Sequence, residues 1–297
     1  MLSLLVLAAT LAPLPHSPDL YVSGFFTSSV QRYYGPRSAV QGSRGIYAQP
    51  VARRPWGLAF GPDGNLYLAN FGNGSDALVR VAGPFATTPG SRTTLVNDAA
   101  FFDVAFGPDQ NIYVSGSHTI RRYDVVTGQL IGEFVSGHAI FDVTAIAFGP
   151  DGDLYATSFD SCVTGPNGCT GSRAEIVRFD GVTGAFLEVL AVRTDGTLFY
   201  DLAFGPGGAL FATNGANILR FDHCATRVRA VHNAGVFATH EGMSPIALAF
   251  GPDHNLYVSD TTTNAILRFD GTTGAFIDTF VSNVDGGPRG IVFGVSP

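Results

Sequence analysis

The sequence predicts an all-β fold, a six-bladed β-propeller, and three observations predict it. A fourteen-residue unit recurs and aligns without a gap. Each copy carries the same succession of strand and turn signals. The two ends of the chain hold complementary parts of one further copy.

The copies are GLAFGPDGNLYLAN from Gly57, DVAFGPDQNIYVSG from Asp103, AIAFGPDGDLYATS from Ala145, DLAFGPGGALFATN from Asp201 and ALAFGPDHNLYVSD from Ala247, at spacings of 46, 42, 56 and 46 residues. An apolar run such as Leu-Ala-Phe meets a Gly-Pro-Asp-Gly turn, and Leu-Tyr-Val-Ser returns from it as the second strand of a hairpin. A third strand follows, as in Ile176–Asp180 and Ile266–Asp270. The turns DGVTG and DGTTG then lead to a fourth, AFLEV or AFIDT. Four antiparallel strands in a repeat of this length are a propeller blade. Within the first strand the side chains alternate between large and small, Leu58 and Phe60 against Gly57 and Ala59. A bulky face meeting a neighbour's alanine face lets wedge-shaped blades converge on an axis. These phenylalanines are therefore core residues.

The ends supply the sixth blade. Gly290-Ile-Val-Phe-Gly294 opens a copy 43 residues after the fifth and stops, while Asp19-Leu-Tyr-Val-Ser-Gly24 and Val30–Tyr34 read as its second and third strands. Pairing the C-terminal strand with the N-terminal ones closes the ring and removes its open edges. Residues 19–297 form this single domain, with the longest interval explained by an insertion loop at about 159–173.

Composition agrees and excludes some functions. Charged residues are 14% of the chain, low for a helical protein of 297 residues, and glycine and aromatic residues are abundant. A formal charge of -7 opposes sequence-independent nucleic-acid binding. All 17 basic residues are arginine, so Schiff-base and P-loop lysine chemistry are absent. The apolar start, Met1 to Ala12, is too short to span a membrane and suits a secretory signal within a leader of residues 1–18, although no positive charge precedes it. Export to a secreted or periplasmic location follows as an expectation. Cys162 and Cys169 stand in a Gly/Pro/Asn-rich loop where a disulfide suits an oxidising compartment; a metal knuckle would need further Cys or His at ligand spacing. Cys224 is left over as a small apolar residue in or near the core.

The recurring GLAFGPDGNLYV unit and the ILRFDGTTGAF that follows it resemble the NHL-repeat propellers and, more distantly, the gluconolactonase/regucalcin group, over nearly all of residues 19–297. Enzymes of those families hold a metal with Asn, Asp or His just before the innermost strands. The matching ring here is Trp56, Phe102, Thr144, Tyr200, Ile246 and Arg289, which contains none of these. The resemblance thus implies a scaffold without the family metal site, and no cofactor is expected. Asp103 and Asp201 sit one residue deeper and, with Asn214 and Asp260, are the candidates for a calcium site; the alternative is that they cap turns. Trp56, Phe102 and Tyr200 with Arg289 either line an aromatic, anion-binding pocket or plug the channel. His240 and Glu241 are the acid/base candidates by position, with no Ser or Cys partner in the pattern. The leading reading is a non-enzymatic binding scaffold for a protein, peptide or glycan. The runner-up is a divergent metal-dependent hydrolase or lyase at the channel mouth, and the third is a structural module of a matrix or surface layer.

Overall fold

The computed structural model describes residues 17–51, 53–72, 77–97, 101–165, 168–222 and 234–294. The expected leader and Cys224 lie outside these residues, apart from the leader's last two positions. Three strands open the chain, β1 (Asp19–Gly24), β2 (Ser29–Tyr33) and β3 (Ser43–Ala48). The first blade is β4 to β7 (Pro55–Phe60, Leu66–Asn70, Leu78–Val81, Arg92–Val96) and the second β8 to β11 (Asp103–Phe106, Ile112–Gly116, Thr119–Tyr123, Leu130–Glu133). The third holds β12 (Ile146–Phe148), β13 (Leu154–Asp160), β16 (Arg173–Phe179) and β17 (Phe186–Arg193), interrupted by the small hairpin β14 (Thr164–Gly165) and β15 (Gly168–Cys169). The fourth is β18 to β21 (Phe199–Phe204, Leu210–Asn214, Asn217–Phe221, Ala234–Thr239) and the fifth β22 to β25 (Pro245–Phe250, Leu256–Asp260, Ala265–Phe269, Phe276–Val281). The sixth is ordered β26-β1-β2-β3, with β26 (Pro288–Gly294) as its inner strand. Leu20 pairs Phe293 and Tyr21 pairs Val292, so the ring closes through the two ends of the chain as expected. The fourth strand of this blade, β3, comes from the N-terminal part of the chain as expected, at a position that no repeat wording marks.

The wedge packing has the expected polarity. Leu58 and Phe60 pack into the sixth blade beside Tyr21, Val30 and Ala48, while Ala59 faces the second blade beside Phe106. The contact that repeats is an edge-to-face pair between the second-strand aromatic of one blade and the first-strand Phe of the next. Tyr21–Phe60, Tyr67–Phe106, Tyr113–Phe148, Tyr155–Phe204, Phe211–Phe250 and Tyr257–Phe293 have centroids 4.8–5.0 Å apart, all edge-on. Such geometry sets positive ring edges against negative faces and adds about 0.5–1.5 kcal/mol per pair to the burial. The glycine that follows the first-strand Phe makes room for it in five of the six blades, at Gly61, Gly107, Gly149, Gly205 and Gly294. A Cβ on Gly205 would lie 2.7 Å from Phe250 Cζ, and one on Gly294 would lie 2.1 Å from Phe60 Cε2.

The turn aspartate completes the unit. Tyr67, Tyr113, Tyr155 and Tyr257 donate their hydroxyls to Asp63, Asp109, Asp151 and Asp253 at 2.9–3.1 Å. The fourth blade has Gly207 where the others have Asp, and Phe211 where they have Tyr, so donor and acceptor are lost together. In the closing blade the turn is broken by the chain ends, and Tyr21 Oη is buried without a hydrogen-bond partner among the described residues. Arg178 of the third strand is buried over the Tyr155 ring, with Asp151 and Asp153 at 2.6 and 2.7 Å.

Truncating one of these rings measures the staple. Tyr257, fully buried, touches Phe280 and Phe293. We expect Tyr257→Ala to lose about 3–5 kcal/mol in urea unfolding, and Tyr257→Phe, which removes the hydroxyl that bonds Asp253 and keeps the ring, to lose about 1 kcal/mol.

Candidate functional site

The inner strands start at one end of the channel, and their first residues are displaced by β-bulges. Trp56 and Gly57 stand between the pairs Pro55–Asn70 and Leu58–Leu68, and thus oppose Ala69 alone. Tyr200–Asp201, Ile246–Ala247 and Arg289–Gly290 make equivalent bulges opposite Thr213, Ser259 and Ser23. A bulge leaves an amide without its ladder partner and re-aims a side chain. Here the opposing hydroxyl accepts that amide. Gly290 N–H donates to Ser23 Oγ at 2.8 Å, Ala247 N–H to Ser259 Oγ at 2.8 Å and Asp201 N–H to Thr213 Oγ1 at 2.9 Å. The hydroxyl then donates to the next blade, Ser23 to Trp56 O, Thr213 to Ile246 O and Ser259 to Arg289 O, at 2.9–3.2 Å. Ser115 and Thr157 accept the amides of Asp103 and Ala145 in the same way. The first blade has Ala69 instead, and Gly57 N–H reaches Phe102 O of the second blade directly at 2.9 Å. This hydroxyl ring was missed in the sequence, where its signal is the Ser or Thr two residues after the second-strand aromatic, as in Tyr257-Val-Ser259 and Phe211-Ala-Thr213.

The bulges open a cavity of about 130 Å³ at the channel mouth. Its upper ring is Trp56, Thr144, Tyr200, Ile246 and Arg289; Asp103 and Asp201 lie one residue deeper, above Leu58, Val104, Ile146, Leu202, Leu248 and Ile291. Of the expected pocket residues, Trp56, Tyr200 and Arg289 line this cavity. Phe102 does not: it is buried against Phe71, with centroids 5.0 Å apart, and edge-on to Trp56 at 6.0 Å. Arg289 is held between two rings, its guanidinium carbon 5.0 Å from the centroids of both Phe25 and Trp56. Its Nε is buried with no hydrogen-bond partner among the described residues. Burial pushes its pKa down, an effect that Tyr200 opposes.

Asp103 and Asp201 staple blades as well as lining the cavity. Asp103 accepts from Val104 N–H at 2.8 Å and from Ile146 N–H of the next blade at 2.9 Å. Asp201 accepts from Leu202 N–H and from Leu248 N–H of the next blade, both at 2.8 Å. Gly57 is required beside them, since a Cβ there would sit 2.1 Å from Asp103 Oδ1. Burial raises the pKa of Asp103 against the pull of its two amide donors. Burial raises Asp201 well above the carboxylate range, and the charge of Asp103 adds to it.

The other candidates are elsewhere. Asp260 caps a loop, accepting from the amides of Ser244, Thr262 and Thr263. Asn214 ends β19 with its Oδ1 buried and unpaired among the described residues. Neither lines the cavity, so the four-residue calcium set is not brought together. Among the described residues no group of three or more His, Cys, Asp or Glu side chains could hold a metal ion. His240 is exposed in the loop before β22, its ring stacked 4.2 Å from Phe276, and with Glu241 it lies outside the cavity lining. Thr144 Oγ1, the only aliphatic hydroxyl in that lining, donates to Phe199 O at 2.8 Å. Cys162 and Cys169 form the expected disulfide in the insertion loop, Cα atoms 5.0 Å apart.

Comparison with known proteins gives the same architecture. A family model described as WD domain, G-beta repeat, matches residues 128–164, from the turn before β11 to the β14 hairpin. No curated protein sequence matches the chain significantly. Among solved structures, a chain of a nidogen/laminin complex aligns with a TM-score of 0.68 and 19% identity, over 92% of this chain and 97% of that one. A gluconolactonase from Xanthomonas campestris gives 0.60 at 14% identity, over 95% and 91%. Virginiamycin B lyase from Staphylococcus aureus gives 0.54 at 16%, over 81% and 77%. The likeness to gluconolactonase-type propellers read from the repeat wording is thus present in the fold. At these identities the fold is what is shared.

The acidic pair has a defined pH signature. Both carboxyls hold their protons more tightly folded than unfolded, so the stabilisation is complete below the unfolded carboxylate range and is lost as pH rises through the folded values. We expect the unfolding free energy of wild type relative to Asp201→Asn to rise as pH falls from about 8 to about 4, by at most about 1.4 kcal/mol per pH unit and proton. Urea titrations at several pH values check this.

Proposed function

We propose that this protein is a binding propeller, exported to a secreted or periplasmic compartment, that holds a protein, peptide or glycan on its channel-mouth face without turning it over. The observation that carries this reading is a row of packed aromatic rings beside the mouth, with Phe26 exposed, Trp56 and Phe71 half-buried, and Phe25 and Phe102 buried beneath them. It runs from Phe26 through Phe25 and Trp56 to Phe71 and Phe102, with centroid steps of 5.0–6.0 Å. Arg54 and Arg289 lie against it, over Phe25 and over Phe25 and Trp56. Phe26 is 76% exposed at its outer end. Aromatic and arginine side chains on a rigid frame are the groups that dominate recognition surfaces. They bring large contact area with little entropy loss, together with in-plane N–H donors. The apolar N-terminus and the Cys162–Cys169 disulfide support export. The nidogen/laminin likeness supports a role in association.

The acidic pair in the cavity and the likeness to a gluconolactonase and a lyase favour a second reading, a metal-dependent hydrolase or lyase. One set of experiments separates the two. On peptide and glycan arrays, we expect ligands whose binding falls about 30-fold in Phe26→Ser, the roughly 2 kcal/mol of a recognition hot spot. We expect no change in thermal midpoint between EDTA and excess calcium, magnesium or zinc. An ion at about 100 times its Kd would add roughly 2.7 kcal/mol, and such a rise with lactone or lyase turnover would replace the binding reading with the enzymatic one.

A further inference from the structure

We infer that the channel cavity is a site for a small zwitterion, in which Arg289 at the rim takes a carboxylate and the Asp103–Asp201 pair beneath takes the ammonium of the same molecule. The inference starts from opposite charges inside one enclosure. Arg289, Asp103 and Asp201 all line the same cavity, and among the described residues Tyr200 is its only other titratable lining residue. Arg289 has no ion pair with any described carboxylate, and the rings of Phe25 and Trp56 fix its plane without accepting its in-plane N–H groups. A buried guanidinium donor without an acceptor is costly, and a carboxylate is the acceptor that its geometry fits.

The pair below has the complementary need. Each of the four carboxylate oxygens accepts one backbone amide. A carboxylate oxygen has two lone pairs, so acceptor capacity remains at every one of them. Two like charges in one enclosure also repel, and a cationic group between them removes that penalty. An ammonium offers three donors on a compact charge. The remaining walls limit the guest. The aliphatic ring from Leu58 to Ile291 closes the floor, and about 130 Å³ holds only a molecule of several heavy atoms. A free amino acid with a short chain, neutral overall, matches both charges and the size.

The site shares Arg289 with the proposed partner surface but neither uses Phe26 nor requires a macromolecule. The full chain is titrated calorimetrically with glycine, β-alanine and 4-aminobutanoate, and with acetate and methylammonium as the separate halves. The expected result is saturable binding of at least one of the three zwitterions, about tenfold or more tighter than either half. Arg289→Gln and Asp201→Asn each weaken it by a similar factor, and Phe26→Ser leaves it unchanged. Binding also weakens on acidification, as protons compete for the aspartates while Arg289 stays charged. If Asp201→Asn fails to fold, because Asp201 ties down Leu248, Arg289→Gln and the half-ligands decide alone. Absence of saturable heat with all three zwitterions overturns the inference. So does methylammonium binding as tightly as the zwitterions with no effect of Arg289→Gln, which would leave a simple cation site. Loss of array binding in Phe26→Ser with zwitterion binding intact shows that the two sites stand or fall separately.

Discussion

The edge-to-face contact between the second-strand aromatic of each blade and the first-strand Phe of the next is the interaction on which the rest of the structure depends. A blade has one bulky and one small face on its inner strand, so it cannot bury its apolar surface alone. The aromatic pair fixes how deeply each blade wedges into its neighbour, and six such pairs at nearly one distance define one curvature. The turn glycines, the turn aspartates and the third-strand arginines all serve that contact. They make room for the Phe edge, hold the Tyr hydroxyl and, at Tyr21, Tyr155 and Phe211, cover the face of the ring. The fourth blade shows the dependence by exception, because Gly207 and Phe211 depart from the pattern together while the ring pair with Phe250 is kept.

Toward the channel mouth four of the six inner strands leave the regular ladder in β-bulges. At three of the four bulges a hydroxyl accepts the displaced amide and passes a bond to the next blade, and at the fourth Gly57 N–H reaches Phe102 O directly. Four first-ring side chains, Trp56, Tyr200, Ile246 and Arg289, are thereby turned toward the channel. The Tyr200–Asp201 bulge sets Asp201, and Asp103 stands in register opposite Ser115; the oxygens of both reach the following blade. Scaffold and candidate site are therefore one construction. Arg289 rests on the closing strand β26 and its ring partners come from the first and sixth blades, so the site exists only in the closed ring.

Much of this was legible in the residues. Blade number, strand order, the large-and-small faces and the closing pair follow from turn and core residues whose roles are local. The mouth ring could be named from spacing, and so could the depth of Asp103 and Asp201. What spacing could not give was direction. Phe102 occupies a ring position, yet it packs back on Phe71, because the neighbouring Trp56 and Phe71 offer an apolar bed. Asp260 and Asn214 occupy the matching end of the second strand, but Asp260 caps a loop and Asn214 is buried outside the cavity lining. The position of β3 was invisible because its residues, Ser43–Ala48, form the exposed outer strand and carry no core pattern.

Hydrogen exchange across β26, followed residue by residue, tests most directly the claim that ring closure and site are inseparable. If they are, the amides of Gly290 and Ile291 exchange only through global unfolding, at the same free energy as core amides such as those of Val114 and Val258, with the same denaturant slope. Exchange of β26 at a free energy several kcal/mol lower, while the other inner strands stay protected, would contradict it. It would mean that the closing strand opens by itself and that Arg289 is placed by a local latch rather than by the ring.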